Sequence, residues 1–166
     1  DVCLPAYNED FKSGAGAADV DFYAKLIRPG EGPDVIGFSS PDRKSKYFTL
    51  NKDDLGGSYG DQTDSDEEII ISRGSVLYDG NYTVNAHLFG DKGDIRKKGG
   101  EPICARVIVV VYKGLPEEQV VCDNVIELHG GQKEQTGCRF RVINGEVEIL
   151  PNIFSPVRGA ARSGPP

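Results

Sequence analysis

The chain has 166 residues, 26 of them acidic and 19 basic, for a formal net charge of −7. That length suits one domain, and 38% hydrophobic residues furnish one core, which excludes a globally disordered chain. The acidic balance argues against a general nucleic-acid binder, and no apolar run approaches the roughly 20 residues that a transmembrane helix needs.

Taken in order, residues 1–18 read as an extended lead-in that ends in a Gly/Ala stretch. Residues 19–150 carry the strand signals, and 151–166 form an irregular tail. In 20–28, Val20, Phe22, Ala24 and Leu26 alternate with Asp21, Tyr23 and Lys25, the period of a half-buried strand. Pro29-Gly30 ends it, since Pro fixes φ and Gly accepts positive φ. Residues 34–39 and 46–50 give two further strands, an acidic loop spans 51–66, and 68–73 make a fourth strand. After a turn at Asp79-Gly80 the next strand, 81–89, puts Tyr82, Val84, Ala86 and Leu88 on one face. Asn81, Thr83, Asn85 and His87 lie on the other, polar face. Residues 102–112 form the most apolar strand, and 119–128, 136–143 and 146–150 continue the pattern. Asn144-Gly145, between the last two, is the strongest hairpin signal, because both positions tolerate the positive φ of a two-residue type I′ turn.

Helical periodicity is absent, while 21 glycines and 10 prolines supply turns. The expectation is an all-β protein, an antiparallel β-sandwich of about eight to nine strands. Its core is expected to include Leu26, Tyr82, Val84, Leu88, Val107, Val109, Phe140 and Val142.

Several segments carry a family likeness. DVDFYAKLIRPGEG from Asp19, the residues 35–39, DDLG from Asp53, and GNYTVNAHLF from Gly80 occur in that order. The set resembles the YfaP-like bacterial and phage β-sandwich domains, whose D-x-D-L strand and G-x-Y-x-V-x-V strand it approximates. Phe22 replaces the usual Leu and Ala86 the usual Val, and the cysteines are not a family feature. The resemblance implies an accessory β-sandwich with no established activity, often extracytoplasmic; a fold likeness does not by itself assign function.

Cys3, Cys104, Cys122 and Cys138 show no C-x-x-C spacing, which disfavours a zinc site. They fit two disulfides of an oxidising compartment, and equally buried free thiols of a cytosolic protein; the first is preferred. Cys138 shares parity with Phe140 and Val142, and Cys122 with Val120, Ile126 and Leu128, so both sulfurs are expected to face the core. Of three possible connectivities, Cys122–Cys138 with Cys3–Cys104 is favoured.

Asp53, Asp54, Asp61 and Asp64 in the acidic Gly-rich loop are candidate Ca²⁺ ligands, although EF-hand spacing is absent and a solvated loop explains the charges more simply. His87 and His129 read as surface histidines rather than metal ligands, and pairing either with Cys138 as a nucleophile lacks a third group. A packing role is the simpler reading for any one aromatic ring; Tyr23 and Tyr59, by parity and loop context, are the candidates for an exposed sugar-stacking platform. No phosphate-binding glycine loop or G-x-S-x-G segment occurs. The sequence therefore points to a non-enzymatic extracytoplasmic interaction or structural domain with a protein partner, as in a cell-envelope or phage assembly. The alternative is a calcium-stabilised carbohydrate-binding module, and a hydrolase with a dispersed site comes third.

Overall fold

Alternating residues become nine antiparallel strands in a computed structural model that describes residues 20–52, 68–88, 103–128 and 132–157. They are β1 (Val20–Ile27), β2 (Asp34–Ile36), β3 (Phe48–Lys52), β4 (Ile69–Ser72), β5 (Gly80–Leu88), β6 (Ile103–Val111), β7 (Gln119–Leu128), β8 (Glu134–Ile143) and β9 (Glu146–Ile149). A five-stranded sheet has the order β2-β1-β5-β8-β9, and β3-β4 and β6-β7 are separate hairpins. The all-β class is as expected. Instead of a second continuous sheet, the described residues place these two hairpins over one face of the large sheet.

One core joins the three sheets. From the large sheet it takes Ala24, Leu26, Ile36, Tyr82, Val84, Ala86, Leu88, Phe140 and Val142. Phe48 and Leu50 enter it from β3, and Ala105, Val107, Val111, Val121 and Leu128 from the β6–β7 hairpin. Tyr82 and Phe140, directly opposed on β5 and β8, stack with their rings 4.6 Å apart and 4° from parallel. Val109 was expected in the core but is only partly buried at its margin.

The Cys122–Cys138 disulfide forms as expected, with Cα atoms 6.1 Å apart. The two cysteines, however, are not on paired strands. Cys122 opposes Val109 on β6 and Cys138 opposes Val84 on β5, so the bond crosses the core and ties the β6–β7 hairpin to the large sheet. Cys104 is disulfide-bonded as well, and Cys3, the partner expected for it, lies outside the described residues.

Local chemistry explains where strand bounds differ from the alternation. β2 stops at Ile36 because Gly37 turns beneath Tyr23, where a Cβ would lie 2.1 Å from the ring. β3 starts at Phe48 rather than at residue 46, since the Lys46 and Tyr47 amides donate to the Asp34 carboxylate (3.0 Å each) instead of to a ladder. Val120 does not share the inward face of Cys122. The register shifts between Val109 and Val110, and this bulge buries both Val121 and Cys122 while turning Val120 to solvent. Asn144 and Gly145 adopt φ of 52° and 78°, as the hairpin signal requires.

Candidate functional site

The second face of the large sheet is where polar side chains gather. In-register rows cross it from β1 through β5 to β8: Asp21, His87 and Glu134; then Tyr23, Asn85 and Thr136; then Lys25, Thr83 and Arg139. Alternation assigned this face to solvent. It is instead covered, and Asp21, Thr83, Asn85, His87 and Thr136 are all buried. His87, expected at the surface, is 7% exposed.

The cover is the chain's own segment 151–157, which follows β9 without regular structure. The sheet holds it through its main chain. Thr136 Oγ1 accepts from the Ser155 amide (2.9 Å), and Asn85 Nδ2 donates to the Ser155 carbonyl (2.7 Å). Glu134 Oε2 accepts from the Val157 amide (2.7 Å) and from Asn85 Nδ2 (2.8 Å). Arg139 Nη1 donates to the Pro151 carbonyl (3.1 Å) and Lys25 Nζ to that of Pro156 (3.3 Å). Asn152 Nδ2 returns a bond to the Thr136 carbonyl (3.1 Å). The Val157 side chain, fully buried, anchors the segment against Tyr23 and Val35.

Electrostatics at this clasp are mixed in sign. Burial, and then the neighbouring Arg139 charge, press the Lys25 ammonium below its ordinary pKa, while Glu134 pulls it back up. Glu134 itself is half-buried, and its Oε2 is satisfied by the N–H groups of Val157 and Asn85. Among the described residues, no group of three or more His, Cys, Asp and Glu side chains is placed to hold a metal ion, so the Asp21–His87–Glu134 row is not a metal centre.

Tyr23 does point to the face opposite Leu26, as its parity indicated, but residues 151–157, a strap across this face, and β2 leave it 2% exposed. It packs edge-on to Phe38 and His87 and offers no platform for a sugar. The cluster of aromatic and charged side chains nearer the surface is elsewhere: Arg28 lies over the rings of Tyr47 and Tyr78 (5.2 and 5.4 Å). Arg28 Nη1 also donates to the Tyr47 hydroxyl, which in turn donates to Glu31. That hydroxyl, and then Lys46, hold the Glu31 carboxyl below its ordinary pKa. Cys138 faces the core in a disulfide, on the opposite face from His87, which removes the Cys–His nucleophile. The candidate calcium ligands Asp53, Asp54, Asp61 and Asp64, together with Tyr59 and His129, lie outside the described residues.

Glu134, Asn85, Thr136, Lys25 and Arg139 escaped the sequence reading as a site. Glu134 fell before the strand expected to begin at Thr136, although its alternation with Thr136 continues the pattern. Among the described residues of the tail, Val157 was the one apolar residue whose docking the sequence could have signalled, since Ile153 and Phe154 stay exposed. The chain matches no family model, no curated protein and no solved structure.

Proposed function

We propose that this chain is a non-enzymatic interaction or structural domain that works outside the cytoplasm, as part of a cell-envelope or phage assembly. The observation that carries the reading is the use made of the buried polar groups. Buried Asn85 and Thr136, with half-buried Glu134 beside them, are engaged in holding the chain's own backbone. A catalytic site needs such groups aimed at a space a substrate can enter. Here that space holds residues 155–157. A disulfide that ties one layer to another suits an oxidising compartment, where such bonds persist. Among the described residues, no helix is long and apolar enough to cross a membrane. The two segments most like the YfaP-like domains, β1 and β5, pair along their whole length from Val20↔Leu88 to Ile27↔Asn81, which supports reading them as one unit.

Labelling of intact cells of the source organism with a membrane-impermeant reagent tests the compartment. A panel of ester, glycoside and peptide substrates tests the absence of turnover. Modification of the chain in intact cells with no turnover is the expected result. A chain protected from the reagent, with four free thiols on isolation without reductant, overturns the placement, and turnover that survives repurification overturns the non-enzymatic reading.

A further inference from the structure

A receptor surface and its ligand sit on the same chain. Nearly all the polar contacts to the strap are made to its main chain: the Ser155 amide and carbonyl, the Pro156 carbonyl and the Val157 amide. One aliphatic side chain, Val157, fills an apolar recess against Tyr23 and Val35. Such a groove recognises an extended segment with an aliphatic residue two positions after the doubly bonded one. Only Leu150 and Pro151 lie between β9 and Asn152, where the part of the segment free to leave begins. The Leu150 amide makes the last bond of the β8–β9 edge, to the Arg139 carbonyl (2.9 Å), and Pro151 cannot extend that edge. Beside this short join, Ile149, Ile153 and Phe154 stand 60%, 65% and 51% exposed.

We infer that residues 152–157 exchange between two copies of this chain, each copy's strap filling the polar groove of the other. This rests on the interaction reading above and names its partner. A second copy is the occupant the observations favour, because the only sequence seen to fit the groove is the strap's own and a second copy brings it unchanged. Every clasp contact from Asn152 onward is remade between two chains, so closed and exchanged forms differ only at the hinge, Leu150 and Pro151. Opening the hinge brings two sets of Ile149, Ile153 and Phe154 together around a two-fold axis and buries apolar surface that the closed chain leaves in water. This gain opposes the entropy of association, which makes the dimer dependent on concentration.

Light scattering after size-exclusion chromatography, on the full chain equilibrated at about 10 µM and at about 1 mM, reads the exchange by mass action. The expected result is a dimer fraction that rises severalfold between the two concentrations and is lost in Val157→Asp. A chain that stays monomeric at the higher concentration overturns the proposal, and so does a dimer that persists undiminished in Val157→Asp. A covalent trap covers the case in which that variant does not fold. Thr136→Cys with Ser155→Cys places a thiol on each side of the clasp, and oxidation at high concentration then gives an interchain disulfide dimer on a non-reducing gel. Closure within single chains alone overturns the exchange. The cell-labelling and turnover results are independent of these outcomes, so failure of the exchange is distinguishable from failure of the interaction reading.

Discussion

The Asp79 carboxylate accepts the backbone amides of Asn144 (2.8 Å) and Gly145 (3.2 Å), 65 and 66 residues away, and so fixes the β8–β9 turn to the start of β5. The turn residues are already suited to their positive φ, so Asp79 adds position rather than conformation. Asp79→Ala is expected to cost about 1–2 kcal/mol in urea unfolding, the worth of hydrogen bonds to a charged acceptor in partial contact with water. Asp79→Asn should recover part of it, because one amide oxygen still accepts. Glu134 is half-buried as Asp79 is, but the amide it serves belongs to the fully buried Val157, so its loss leaves more behind. In Glu134→Ala the Val157 amide has no acceptor, while Asn85 keeps its bond to the Ser155 carbonyl. Destabilisation of about 2–3 kcal/mol is expected, with Glu134→Gln costing about half as much. Equal urea midpoints for Glu134→Ala and the parent chain would show that the clasp contributes nothing. At Gly137 the constraint is steric: a Cβ would lie 2.5 Å from Val107 Cγ2, so even Ala displaces the β6 side of the core.

At the scale of elements, β5 shows both how much was legible and what was not. The alternation of Tyr82, Val84, Ala86 and Leu88 gave the strand and its core face, and Asn144-Gly145 gave the hairpin. Pattern could not show that the face of Asn85 and His87 is also buried, because its cover comes from residues 155–157, a contact made 70 residues away at Asn85–Ser155. Nor could it show that the core disulfide joins different layers, since parity fixes a face but not the strand opposite. The register shifts among the described strands, at Leu50/Lys52, Val84/Asn85 and Val109/Val110, break the simple alternation, and no residue type announced them. Removing the cross-layer bond by Cys122→Ser with Cys138→Ser should cost roughly 3 kcal/mol, the chain-entropy value for closing a loop of this length, read as a lower melting temperature. Tyr82 gives this packing a pH signature. Burial pushes its hydroxyl well above the ordinary value, and the hydroxyl donates to the Tyr78 carbonyl (2.6 Å). The folded pKa is raised, so the stability it reports is complete below the unfolded value near 10 and declines as pH rises above it. Absorbance titrations of the parent and of Tyr82→Phe should therefore coincide until the alkaline unfolding step, where one phenolate fewer appears in the variant. A tyrosinate difference well before unfolding would mean that Tyr82 is not sealed.

The molecule as a whole is held in two different ways. Apolar packing and a disulfide join the β6–β7 hairpin to one face of the large sheet. A row of polar contacts and one valine join residues 151–157 to the other. The first gains from burial proportional to apolar area, and the bond prevents the layers from parting. The second exchanges water hydrogen bonds for protein ones, a net gain of about 1 kcal/mol each, and leaves Ile153 and Phe154 exposed beside it. The strap should therefore open as its own unit at a free energy below that of global unfolding. Hydrogen exchange separates the two. The Ser155 and Val157 amides donate to side chains on the sheet, not to a strand ladder, so they become exchangeable whenever the strap lifts, while the paired amides between β5 and β8 wait for the sheet itself. Exchange of Ser155 and Val157 at least about tenfold faster than the slowest β5 amides is expected, corresponding to opening about 1.4 kcal/mol or more below the global value. Glu134→Ala should widen that gap by speeding the strap amides more than those of β5. Equal protection at all these sites would mean that the strap leaves only when the whole chain unfolds, making the back face as integral to the fold as the core.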